Sequence, residues 1–231
     1  MNTVTQTATD NVQNEQSREH AQQDQHITEM INTGRKILRQ VETRPEVAET
    51  LASAGYDSDK LQEGHDLCDL LQQYFTHRQE TLNQRIKISK QLRESYHELQ
   101  KTFSDFRVTA RALFKDSSDR DLLSVSGRRP TDREKLMSVM EAAFTSAQKE
   151  PYADTLNRHG FTAERFAAKL EQLAAFRELD VQQNNAEQTA EEATRIRDEA
   201  ADELEDWFSS LRNIGTRALR GTPDAEDVFE A

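Results

Sequence analysis

From Asp57 to about Lys115 the chain has no proline, a single glycine (Gly64), and a seven-residue apolar repeat that never changes register. With Leu61 at position a, the a sites are Leu61, Cys68, Phe75, Leu82, Ser89, Tyr96, Phe103 and Ala110. The d sites are Gly64, Leu71, Arg78, Arg85, Leu92, Leu99, Phe106 and Leu113. Twelve of these sixteen are apolar, a pattern that only a helix burying one narrow stripe against another helix can satisfy. The spacing predicts one helix over about 57–115, roughly 88 Å long at 1.5 Å per residue. A break near 76–84, where the seam turns polar, is the alternative.

Just before this helix lies a segment that occurs twice. Thr50 to Leu61 (TLASAGYDSDKL) matches Thr155 to Phe166 (TLNRHGFTAERF) at an offset of 105 residues, with Tyr56 replaced by Phe161. Each reads as a tight corner between helices. Gly55 or Gly160 suits the left-handed residue past a helix end, and Asp57 or Thr162 can cap the next helix. The aromatic between them can pack back on Leu51 or Leu156 and forward on Leu61 or Phe166, as a hydrophobic staple.

Because 105 is fifteen heptads, the register carries into a second long helix, about 162–220. Its a sites are Phe166, Leu173, Asp180, Glu187, Thr194, Ala201, Phe208 and Gly215. Its d sites are Lys169, Phe176, Gln183, Ala190, Arg197, Leu204, Leu211 and Ala218. Here the polar stretch falls near 181–189. Two shorter helices precede the corners, at about 27–54 (Ile27, Met30, Ile31, Gly34, Leu38, Val41) and 132–156 (Leu136, Val139, Met140, Ala143, Phe144, Ala147), interrupted by Pro45 and Pro151. The expected fold is all-α, an internally duplicated bundle with the two long helices antiparallel. Repeat one spans 26–127 and repeat two 128–220, packed as a single domain. Residues 1–25 are too polar to bury and read as a disordered or frayed tail, 116–131 as a solvated linker, and 221–231 as an acidic tail. If Arg85 pairs with Asp180 and Arg78 with Glu187, the same register sets Leu61 beside Leu204, Phe75 beside Ala190 and Leu99 beside Phe166.

The segment from Trp207 to Phe229 (WFSSLRNIGTRALRGTPDAEDVF) is similar to the closing segment of a group of uncharacterised all-helical bacterial proteins. In these an aromatic-rich helix ends in Ala-Leu followed by Pro and a short apolar tail. The resemblance covers the last fifth of the chain and its counterpart at Phe103 to Phe114, and it implies a helical fold without a named activity. The acidic ending here departs from the more apolar one of that group.

The formal net charge of −12 disfavours nucleic-acid or anionic-membrane binding. No apolar run reaches the roughly 18 residues of a membrane span, and the N-terminus has no secretory pattern, so the expected location is the cytoplasm. Cys68, the only cysteine, excludes an intramolecular disulfide and reads as a buried seam thiol. Glu94 and His97 form the one Glu-x-x-His pair, and the second copy offers Glu199 and Asp202 at the matching places. A carboxylate-bundle metal site needs two such histidines facing inward. With Tyr96 at a, Glu94 and His97 fall on the outer face, so no metal, cofactor or catalytic residue is assigned. His20, His26, His65, His77 and His159 lack ligand spacing and read as surface residues. Arg107, Arg111 and Lys115, like Arg212, Arg217 and Arg220, sit in the last turns of the long helices, where cations suit the helix dipole. The same clusters offer an adaptor for anionic surfaces as a second alternative to the metalloprotein. The favoured function is a non-enzymatic helical scaffold presenting charged faces to protein partners or to a second copy.

Overall fold

The computed structural model describes the backbone of residues 3–221 and 226–229, and the side chains of 21–221 and 227–229. The protein is all-α, with no strand among the described residues. Its helices are α1 (Thr3–Glu42), α2 (Pro45–Ser53), α3 (Ser58–Leu113), α4 (Ser117–Leu122), α5 (Arg133–Ala147), α6 (Tyr152–Asn157) and α7 (Ala163–Ala218), followed by a 3-10 turn at Glu226–Val228. Both long helices run unbroken for 56 residues through their polar middles. None of the sixteen α3 seam positions is exposed, and of the sixteen in α7 only Glu187 is.

Both corners form as their residues dictate. Gly55 and Gly160 take φ of 96° and 81°, in the left-handed region where a Cβ is penalised. The Tyr56 amide donates to Leu51 O at 2.9 Å and the Phe161 amide to Leu156 O at 3.1 Å, closing each preceding helix with a Schellman-type bond. Asp57 then accepts from the Lys60 amide at 3.0 Å, and Thr162 from the Arg165 amide at 3.2 Å. Tyr56 stands edge-on to Trp207, and Phe161 stacks on Phe166, so each aromatic is buried by the helix it introduces or by that helix's neighbour.

The chain divides into two compact units that do not follow the repeat boundaries. Unit 1 combines Met1–Leu82 with Thr189–Ala231; unit 2 is Asn83–Gln188. In unit 1, α1 and α2 pack on the start of α3 and the end of α7 around Ile31, Leu38, Leu51, Leu71, Leu204 and Leu211. In unit 2, α5, α6 and the linker residues Leu123 and Val125 pack on the end of α3 and the start of α7 around Phe103, Phe106, Phe144, Leu156 and Phe166. Three helices bury a wider stripe than two. Ala200, beside the a/d seam, joins the unit 1 core in this way, and Ile88 and Ala193, also beside the seam, are buried as well.

Within each unit α3 and α7 run antiparallel, but one heptad from the expected register. Arg78 meets Thr194, not Glu187, and Phe166 meets Phe106, not Leu99; both differences are seven residues. Asp180 pairs with Arg133 of α5 in place of Arg85. A slide of seven residues preserves every a and d position, so periodicity cannot detect it. Shape decides instead: at Gly64 a Cβ would stand 2.4 Å from the Trp207 ring, and at Gly34 one would stand 2.5 Å from that of Phe208.

Parts of three segments expected to be loose take part in the fold. α1 begins at Thr3, and Asp24 already makes tertiary contacts ahead of Ile27. The linker contains α4, capped by Asp116, and buries Leu123 and Val125 completely. At the C-terminus, where 222–225 and 230–231 lie outside the described residues, Val228 is fully buried and Phe229 packs on Gly215.

Gly64→Ala should lower the stability of unit 1 by about 1–3 kcal/mol through overpacking against Trp207. Helix propensity alone would raise it by about 1 kcal/mol. Urea unfolding followed by circular dichroism reads the sign; a stabilised variant would mean that the helices separate freely at this layer.

Candidate functional site

Among the described residues the largest fully buried side chains are two arginines, Arg78 of α3 and Arg197 of α7, both in unit 1. Each occupies a d position, so helical geometry points it into the seam. Asp24 of α1 reaches both: its Oδ1 accepts from Arg78 Nη1 at 2.6 Å and from Arg197 Nη1 at 3.4 Å. Arg197 is held further by Asp198, which accepts from Nε at 2.9 Å and also from Nη2. Arg78 Nε donates to Thr194 Oγ1 at 3.3 Å, and that hydroxyl donates in turn to Ala190 O at 2.8 Å. Two guanidiniums thus face two carboxylates across three helices. Burial, followed by the neighbouring Arg197, lowers the Arg78 pKa from its ordinary value, while Asp24 and Asp198 act the other way.

In this layer the Asp24 and Asp198 carboxylates are engaged by guanidiniums and the Thr194 hydroxyl by Arg78 and Ala190 O, and guanidinium stays protonated at physiological pH. The layer's physical effect is selection: sliding α1 by a turn would leave both cations in the core without their shared carboxylate. Above it a shallow groove of about 280 Å³ runs between α1 and α7, floored by Met30, Ile37 and Phe208 and rimmed by His26, Glu205 and Arg212.

The residues singled out from the sequence are not brought together. Glu94 and His97 are exposed on α3 in unit 2, whereas Glu199 pairs with Arg195 in unit 1 and Asp202 is exposed. Among the described residues no group of three or more potential ligands could hold a metal. His26, His77 and His159 are exposed, His65 pairs with Glu42 at 2.8 Å, and the His20 side chain lies outside the described residues. Cys68 is buried beside Gly34, and burial, against the opposing influence of Arg35, pushes its thiol up to about 11. Arg107 and Arg111 face the folded-back linker, while Lys115, Arg212, Arg217 and Arg220 are exposed. Asp24 has no signature in a polar segment; only the unexplained Arg78 and Arg197 at seam positions signal that an acid from a third helix is required.

Compared with protein-family models, with curated proteins and with solved structures, the chain has no match. Among the described residues no helix is long and apolar enough to cross a membrane.

Asp24→Asn should destabilise unit 1 by about 2–4 kcal/mol, since it removes the charge shared by two buried cations. The triple replacement Asp24→Leu, Arg78→Met, Arg197→Met should recover most of that loss, because apolar packing of similar volume substitutes well for a buried ion set. Equilibrium unfolding of both variants checks the pair of outcomes. Iodoacetamide should label Cys68 slowly in the native protein at neutral pH and rapidly in urea, as read by intact-mass spectrometry.

Proposed function

We propose that the protein is a non-enzymatic helical scaffold of the cytoplasm, built from two tandem copies of one helical unit, that engages protein partners or a second copy of itself. The observation that carries this reading is on unit 2. There Ile86, Val108, Leu122 and Val181 stand 57–72% exposed on helices that otherwise present charge. We read them as apolar elements that a partner's surface would cover. The duplicated origin is supported by the matched corners and by the composition of the two units. Each combines a leading helix, its Pro-linked extension, the first part of one long helix and the last part of the other.

Light scattering over a range of concentrations, together with cross-linking to partners, tests the reading. Wild-type chain should form a complex of defined mass, with itself or with a partner, that Ile86→Asp/Val181→Asp or Val108→Asp/Leu122→Asp weakens at least about tenfold. A complex indifferent to both double variants, or a chain that is monomeric and partnerless throughout, would remove its support. A stoichiometric transition metal in the purified protein would overturn it in favour of metal chemistry.

A further inference from the structure

The end of α3 gathers positive charge that no carboxylate among the described residues pairs with. Arg107 is buried beneath the folded-back linker, where its Nη2 donates to Gly127 O at 2.8 Å and its guanidinium lies 5.6 Å over the Phe103 ring. Arg111, one turn on, donates to Val125 O through Nε and to Gly127 O through Nη2, both at 2.5 Å. Two guanidiniums therefore converge on the same carbonyls. Gly127, with φ of 63°, turns the chain there, and exposed Arg128 and Arg129 follow. Burial, then the proximity of Arg111 and Arg129, lowers the Arg107 pKa from its ordinary value.

Carbonyl oxygens satisfy N–H groups but bring no net charge. The C-terminus of a helix adds only about half a negative charge, against three guanidiniums. The other two buried arginines, Arg78 and Arg197, each have a carboxylate. Among the described residues Arg107, Arg111 and Arg129 form no ion pair, in a chain with 42 acidic and 30 basic residues.

We propose that Arg107 and Arg111, which converge on the folded-back linker, and Arg129, two residues past Gly127 in that linker, bind a phosphate-class dianion. Guanidinium forks match tetrahedral oxyanions through paired N–H bonds, and a dianion offsets two of the three charges where a carboxylate offsets one. Arg107 forms the base of the site, Arg111 its wall, and Arg129 closes on the anion from solvent. Free phosphate and a phosphate monoester present the same chemistry. The site is independent of the scaffold reading, which concerns other residues of unit 2.

Titration calorimetry of the full chain with inorganic phosphate and with phenyl phosphate, at ionic strength fixed by chloride, tests the proposal. Saturable binding of one anion per chain is expected; the tighter of the two ligands identifies free ion or monoester. Arg129→Ala, at an exposed position, should weaken binding at least about tenfold without altering the circular dichroism, and Arg111→Lys should weaken it while keeping the charge. Arg212→Ala, an exposed arginine of unit 1, should leave it unchanged. Absence of saturable heat with either ligand overturns the site, as does an Arg212→Ala loss equal to that of Arg129→Ala.

Discussion

The architecture of unit 1 depends on two aromatic rings entering spaces that only glycine leaves open. Trp207 fills the gap at Gly64 and Phe208 the gap at Gly34, so adjacent residues of α7 engage α3 and α1 at one level. Heptad patterning brings helices together but tolerates slides of seven residues. A ring in a gap does not, because moving it by a turn sets it against a side chain and leaves a void behind. The rest of the unit is arranged around this fixed level, including the placement of Asp24 within reach of Arg78 and Arg197.

The arginine layer adds a second restriction of a different kind. Removing two guanidiniums from water is unfavourable, and their carboxylates offset the desolvation only when all three helices are in place. Its net contribution to stability is therefore small beside its contribution to choosing among arrangements. Steric fit sets α3 against α7 and against α1 at the glycines; charge repeats the choice about three to four turns away. Agreement between independent local preferences is what separates one arrangement from its close competitors.

Most helix boundaries were legible because their signals are local. The long helices, the two corners with their left-handed glycines, and thirty-one of thirty-two seam positions follow from periodicity and capping chemistry in the residues themselves. Register was not legible, since Leu61, Phe75 and Leu99 find acceptable apolar neighbours at either of two settings. Nor was the shared role of Asp24, which depends on a third helix whose N-terminal half is almost wholly polar. The linker misled for a related reason: Leu123 and Val125 are too few to show a pattern, yet the carbonyls around them satisfy Arg107 and Arg111. The gathered arginines at that junction were visible as a run, but their lack of acidic neighbours is a property of three dimensions.

The two units differ in how the chain supplies them. Unit 2 is one continuous stretch, whereas unit 1 draws its wall from residues separated by the whole of unit 2. During synthesis on a ribosome, Asn83–Gln188 can therefore condense as it emerges. The apolar faces of α1 and early α3 must wait, uncovered, until Leu204, Trp207 and Phe208 arrive. The cell has to shelter that first helical hairpin from misassociation for the time taken to translate more than a hundred further residues.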